Sequence, residues 1–212
     1  MLKIVCLLLA LTVICTAQNI TVSLYYESHC PGCQSLIISD LTRLQNADGV
    51  KEIVNLRLIP YGNAREKEQG GKYVFTCQHG EKECEGNAIE QCLITTYGNT
   101  WSAFAEIVCL EKQFRSGAEG SRALSSCVQN KELLNKVKSC VTGDKINSIM
   151  HENAQETAQL QPPHKYVPWL VIDGQHVEDY GDDLLGYVCA RYKGTKPAGC
   201  RRSNRANVCL NE

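Results

Sequence analysis

Two cysteines separated by two residues, Cys30-Pro31-Gly32-Cys33, are the side chains in this sequence best suited to chemistry. A thiolate is the nucleophile of thiol–disulfide exchange, and a second thiol within reach can resolve the mixed disulfide that its attack creates. The same spacing also builds zinc knuckles and ordinary structural bridges, so the surroundings decide. Zinc wants a second ligand pair at comparable spacing, and Cys77-Gln78-His79 is the nearest candidate. Neither a metal nor a cofactor is expected.

The flanking residues place the pair. Ile20, Val22, Leu24 and Tyr26 alternate with Thr21, Ser23, Tyr25 and Glu27, the period of a strand. After Ser28-His29 the period changes, and Cys33, Leu36, Ile37, Leu41 and Leu44 form one apolar helical stripe. Pro31 suits a first helical turn, and Asn46-Ala47-Asp48-Gly49 closes the helix. A second strand over 53–60 completes a right-handed βαβ unit with two parallel strands. Cys30 thus stands where a strand hands over to a helix, and there the unpaired N–H groups and the helix dipole stabilise a thiolate. Cys33 faces the packed stripe. Cys30 is therefore expected to attack and Cys33 to release the product. His29 reads either as an exposed loop histidine or as an imidazolium that supports the thiolate below about pH 6. On the second reading, His29→Leu changes the acidic limb of the pH–rate profile.

From Tyr61 to Leu160 there is little strand alternation. Helices are expected over 87–96, 101–111, 120–129, 131–140 and 144–160, the last ended by Gln161-Pro162-Pro163. Residues 167–172 read as a buried strand, Asp173-Gly174 as a hairpin turn, 175–177 as the returning strand and 182–192 as a final helix. The expected class is α/β, with βαβ and ββα halves separated by a helical insertion at about residues 61–163.

Lys3, an apolar run over 4–14 and the small residues Cys15 and Ala17 have the layout of a signal peptide, residues 1–17, too short to span a bilayer. Residues 18–212 would form the mature domain, with no later membrane span. Of 13 cysteines, two leave with that leader and two form the dithiol. The rest are Cys77, Cys84, Cys92, Cys109, Cys127, Cys140, Cys189, Cys200 and Cys209, a density suited to an oxidising compartment. Their number is odd, so one must stay free, pair between chains or be lost by processing. Asn19-Ile20-Thr21 is the only glycosylation sequon. The net charge is −1, and the only basic cluster is Arg201, Arg202 and Arg205, which excludes a nucleic-acid partner. Oligomeric state is not written in these patterns.

A second motif narrows the reading. Residues 77–92 run Cys-Gln-His-Gly, two residues, Glu-Cys, two residues, Asn, four residues, Cys. This segment resembles the signature of the gamma-interferon-inducible lysosomal thiol reductase family, as do Cys30–Cys33, Tyr61-Gly62-Asn63-Ala64 and Val167-Pro168-Trp169. The resemblance implies a thioredoxin-like fold and reduction of protein disulfides, with a small-molecule or protein thiol as electron donor. The compartment implied is endosomal or lysosomal, although delivery through a phosphorylated glycan would rest on Asn19 alone, which keeps secretion open. Cys30 and Cys33 inherit the catalytic roles. In thioredoxin-like folds a cis-proline opens the strand facing the dithiol, which assigns substrate binding to Val167 and Pro168. Cys77, Cys84 and Cys92 read as staples, Gly80 as a tight turn and His79 as its cap. The competing readings are a DsbA-like oxidase or isomerase and a secreted cysteine-rich binding protein with an inert dithiol.

Overall fold

A computed structural model describes residues 18–179 and 183–201. The expected signal peptide, Cys209, Arg202 and Arg205 lie outside the described residues. Strand β1 (Ile20–Tyr26) is buried along nearly its whole length and occupies the middle of the main sheet. It pairs in parallel with β2 (Val54–Pro60), Leu24 opposite Leu58. Next in the chain, β3 (Arg65–Gln69) and β4 (Lys72–Thr76) form a separate two-stranded sheet. On its other side β1 pairs antiparallel with β5 (Trp169–Ile172), which turns into β6 (Gln175–His176), so the order is β2-β1-β5-β6.

The helix after β1 is interrupted. Helix α1 (Pro31–Ser35) passes through a π-helical turn at Leu36–Leu41 into α2 (Thr42–Asn46). Thr42 donates its hydroxyl to the Ile37 carbonyl at 3.1 Å. The widened turn keeps Cys33, Leu36, Ile37, Leu41 and Leu44 all buried on the sheet.

Five helices form the insertion: α3 (Glu81–Tyr97), α4 (Thr100–Arg115), α5 (Gly120–Cys127), α6 (Lys131–Thr142) and α7 (Lys145–Ala158). Asn99 and Asn130 cap α4 and α6, their side-chain oxygens accepting first-turn N–H groups. Helix α8 (Leu184–Arg191) closes the fold against α2.

Two expectations need correction. The insertion is not wholly helical, because β3 (Arg65–Gln69) and β4 (Lys72–Thr76) form a hairpin around Gly70-Gly71. Its first strand carries only charged and amide side chains, so no apolar alternation marked it. Tyr73 stacks on His151 of α7 at 3.7 Å and exchanges two backbone hydrogen bonds with the Asn147 side chain. Helix α3 also begins at Glu81 rather than 87, with Glu81 and Glu83 suited to the positive end of the helix.

Eight of the nine expected structural cysteines pair, as Cys77–Cys84, Cys92–Cys140, Cys109–Cys127 and Cys189–Cys200. Cys92–Cys140 ties α3 to α6 across 48 residues. In the chain-entropy account a loop of that length is worth about 4 kcal/mol. The ninth, Cys209, is the one outside the described residues.

The face that α3 turns inward is polar. Glu83, Asn87 and Glu90 are buried there beside Ile89, Cys92 and Leu93. Tyr26 donates its hydroxyl to Glu90 Oε2 at 2.5 Å, and Glu111 of α4 faces Glu90. Burial pushes Glu90 up to about 8, partly offset by the Tyr26 and Glu111 hydrogen bonds, and drives Glu111 well above the carboxylate range. The fold thus favours protonated Glu90: its stabilising contribution is full below the ordinary value of 4.5 and is lost as pH rises through about 8. The thermal midpoint should fall between about pH 5 and about pH 8, and Glu90→Gln should flatten that fall in matched melting curves.

Candidate active site

Cys30 is the N-cap residue of α1, with extended backbone, and its Sγ accepts the Cys33 N–H at 3.3 Å. The two thiols differ in depth. Cys30 keeps 7% of its surface and Cys33 none. Hydrogen bonding from the Cys33 thiol, then from the Cys33 and Gly32 N–H groups, with the charge of His79 added, outweighs burial and lowers Cys30 to about 6. Burial, reinforced by the hydrogen bond and charge of Cys30, drives Cys33 far the other way. Among the described residues these are the two free cysteines.

The Val167–Pro168 peptide is cis, and Pro168 packs over Gly32. The Val167 carbonyl lies 3.8 Å from Cys30 Sγ. An extended chain passing Cys30 would therefore meet a backbone edge there, beside the reactive sulfur. Trp169, which follows, is buried and stacks on His176 at 3.4 Å.

His29 is held by two neighbours, its Nδ1 lying 3.2 Å from Ser28 Oγ. Its ring stacks on Phe114 of α4 at 4.9 Å, and burial lowers its affinity for a proton. The imidazole whose charge acts on Cys30 is His79, in the segment expected to serve only as a capped turn. His79 Nδ1 lies against Glu83 Oε2 and 3.4 Å from Glu27 Oε2. Both carboxylates are fully buried, whereas the imidazole keeps about a third of its surface exposed. The donor atoms of this trio fall within 4.8 Å of one another, which is cation-sized spacing. A protonated His79 supplies positive charge there itself, so we read the trio as an ion-paired cluster.

Four residues to which the sequence reading gave no role complete the site: Glu27, Ser28, Glu83 and Asn87. The Ser28 N–H donates to Asn87 Oδ1 at 2.9 Å, and its hydroxyl donates to the Glu83 carbonyl at 3.2 Å. Gln34 returns from α1 to the Ser28 carbonyl at 3.0 Å. Glu27 Oε1 accepts the Asn63 N–H at 2.6 Å, and its carbonyl accepts the Cys30 N–H at 3.2 Å. Helix α3 can come this close because residue 86 is glycine: a Cβ there would stand 2.4 Å from Ser28 Oγ. The available signal was the spacing of Glu83 and Asn87, four residues apart and hence along one helical face, with His79 four residues before Glu83.

Asn19 is exposed just ahead of β1, its side chain donating to the Glu52 carbonyl at 3.1 Å. No helix among the described residues is long and apolar enough to cross a membrane.

A free dithiol at a strand–helix junction, opposed by a cis-proline in a thioredoxin-like fold, defines a thiol–disulfide oxidoreductase. The fold is shared with a mutant DsbA1 in its oxidised form (TM-score 0.51, 14% identity, 76% of each chain) and with Chlamydia trachomatis DsbA (TM-score 0.53, 11% identity, 92% of this chain and 87% of that one). Within that class, the family model for gamma interferon inducible lysosomal thiol reductase matches residues 21–131, and the chain belongs to that family. A protein of that name from Carassius auratus is 44% identical over 92% of this chain and 78% of its own length. The one from Mus musculus is 41% identical over 85% and 71% respectively. A gamma-interferon-responsive lysosomal thiol protein of Arabidopsis thaliana is 36% identical over 87% and 77%.

Gly62 tests how tightly this site is built. Its φ is +59°, and a Cβ would lie 2.4 Å from Glu27 Cγ. Gly62→Ala should cost about 1–3 kcal/mol, read as a lower denaturation midpoint.

Proposed function

We infer that this protein reduces disulfides in protein substrates, with Cys30 as nucleophile and Cys33 as resolving thiol. The Cys30 thiolate attacks one sulfur of a substrate disulfide, forming a mixed disulfide and expelling the other sulfur as a thiolate, which takes up a proton. Cys33 then loses its proton and attacks Cys30 Sγ. The substrate's second sulfur leaves, and Cys30–Cys33 is oxidised. A small-molecule or protein thiol restores the dithiol by the same exchange in reverse. Val167 and Pro168 present the backbone edge along which the substrate chain aligns.

The observation that carries this reading is the asymmetry of the pair. One thiol is held at a helix N-cap and lowered to about 6, while its partner is fully buried and held protonated. A structural bridge needs no such difference. The names of the relatives support reduction as the direction, and support delivery through the secretory pathway to a lysosome. A glycan on Asn19 would be exposed beside the first strand, where it would not disturb packing.

With a denatured disulfide protein at about pH 4.5 and about pH 7.4, Cys30→Ser should abolish turnover, and Cys33→Ser should accumulate a mixed disulfide through Cys30. Retained turnover in Cys30→Ser would overturn the assignment. The Cys30–Cys33 reduction potential should lie nearer about −270 mV than about −120 mV, the values that separate a thioredoxin-type reductant from a DsbA-type oxidant.

A further inference from the structure

The signature segment brings three titratable side chains to the turn that leads into the dithiol. Glu27 belongs to that turn through its carbonyl, which accepts the Cys30 N–H. His79 and Glu83 reach it from the start of α3, where the Cys77–Cys84 disulfide holds the segment closed. His79 lies between the two buried carboxylates, against Glu83 and 3.4 Å from Glu27, with its outer edge toward solvent.

We propose that His79 and Glu27 are positioning residues that set the charge of Cys30 with opposite signs. The His79 imidazolium favours the thiolate and the Glu27 carboxylate opposes it. In acid Glu27 takes a proton, its opposition vanishes, and His79 remains charged. The thiolate is then supported most strongly where thiols are otherwise least ionised. This deepens the reading of Cys30 as the attacking thiol and rests on it.

The charges support this arrangement. With both carboxylates ionised and His79 protonated, the trio carries one net negative charge next to a sulfur that must itself become negative. Protonating Glu27 brings the trio to neutrality. Burial pushes Glu27 up to about 7 against the Asn63 hydrogen bond, helped by the charges of Glu83 and Cys30. For His79, burial disfavours the cation, but the Glu83 hydrogen bond and the charges of Glu83, Glu27 and Cys30 raise it above an ordinary histidine. Since Glu27 and Cys30 each disfavour the other's anion, they compete for one proton. The other groups facing the site act less directly. Glu111 of α4 also senses Cys30 but is kept protonated by burial, and Lys82 of α3 acts on His29 while pairing with Glu119 at the surface.

The test is the rate of iodoacetamide alkylation of the reduced full-length chain across pH, with the adduct located at Cys30 by mass spectrometry. His79→Gln should raise the Cys30 midpoint by about one pH unit and slow alkylation in acid about tenfold. Glu27→Gln should lower the midpoint, and His79→Lys, which restores a cation, should return it most of the way to wild type. The wild-type titration itself should be broader than a single ionisation. That readout needs no variant and holds even if Glu27→Gln fails to fold. Midpoints that stay put, or that move together in His79→Gln and Glu27→Gln, would overturn the proposal, as would a sharp one-step wild-type curve. Cys30→Ser with intact turnover would instead overturn the reading of the dithiol beneath it.

Discussion

The buried hydrogen bond from the Ser28 N–H to Asn87 Oδ1 joins two parts of the chain that lie 59 residues apart in sequence. On one side is the turn that follows β1, two residues before Cys30. On the other is the first half of α3, which belongs to the insertion. Leaving a buried N–H without a partner costs about 1–3 kcal/mol, so the contact specifies the docking as well as satisfying it. Gly86 opens the space for it, and the Ser28 hydroxyl adds a second bond to the Glu83 carbonyl. Once α3 is seated this way, Glu83 and His79 necessarily arrive beside Glu27. The reactive turn is therefore shaped by residues some fifty to sixty positions away in sequence as much as by its own.

That docking buries an unusual density of acid. Glu27, Glu83, Glu90 and Glu111 all lose their solvent within the same part of the molecule as the dithiol. Burial of carboxylates is tolerated when each finds a proton, a donor or a cation. Glu83 has His79, Glu27 has the Asn63 N–H, and Glu90 has the Tyr26 hydroxyl. For Glu90 and Glu111, which burial drives upward, a proton is the partner that burial favours.

The strand–helix–strand half was plain in the residues because hydrophobic period and element agree there. Ile20 to Tyr26 alternates with the period of a strand, although the fold buries both of its faces, and the stripe from Cys33 to Leu44 ends up wholly buried, a π turn absorbing its drift. The same logic failed at α3, whose inward face is built from Glu83, Gly86, Asn87 and Glu90. Such a face leaves no apolar signal, and the helix was legible only from its second half onward. The β3 strand failed likewise, since Arg65 to Gln69 offers only charged and amide side chains. For the site, Cys30 and Cys33 stood out by spacing and Pro168 by its place before a strand. Glu27 and Ser28 could not stand out, because their importance comes from partners supplied by the fold. His29 drew attention through adjacency, yet the chain turns it onto Phe114.

The unequal depth of the two thiols also orders the traffic through this protein. On the proposed mechanism Cys33, which has no exposed surface, is the inaccessible sulfur of the oxidised pair, so an incoming thiol would strike at Cys30. Substrate and reductant would then share one doorway, past Val167, and could not occupy it together. Each turnover is forced into two half-reactions that alternate, a ping-pong cycle in which an abundant reductant and an abundant substrate obstruct one another.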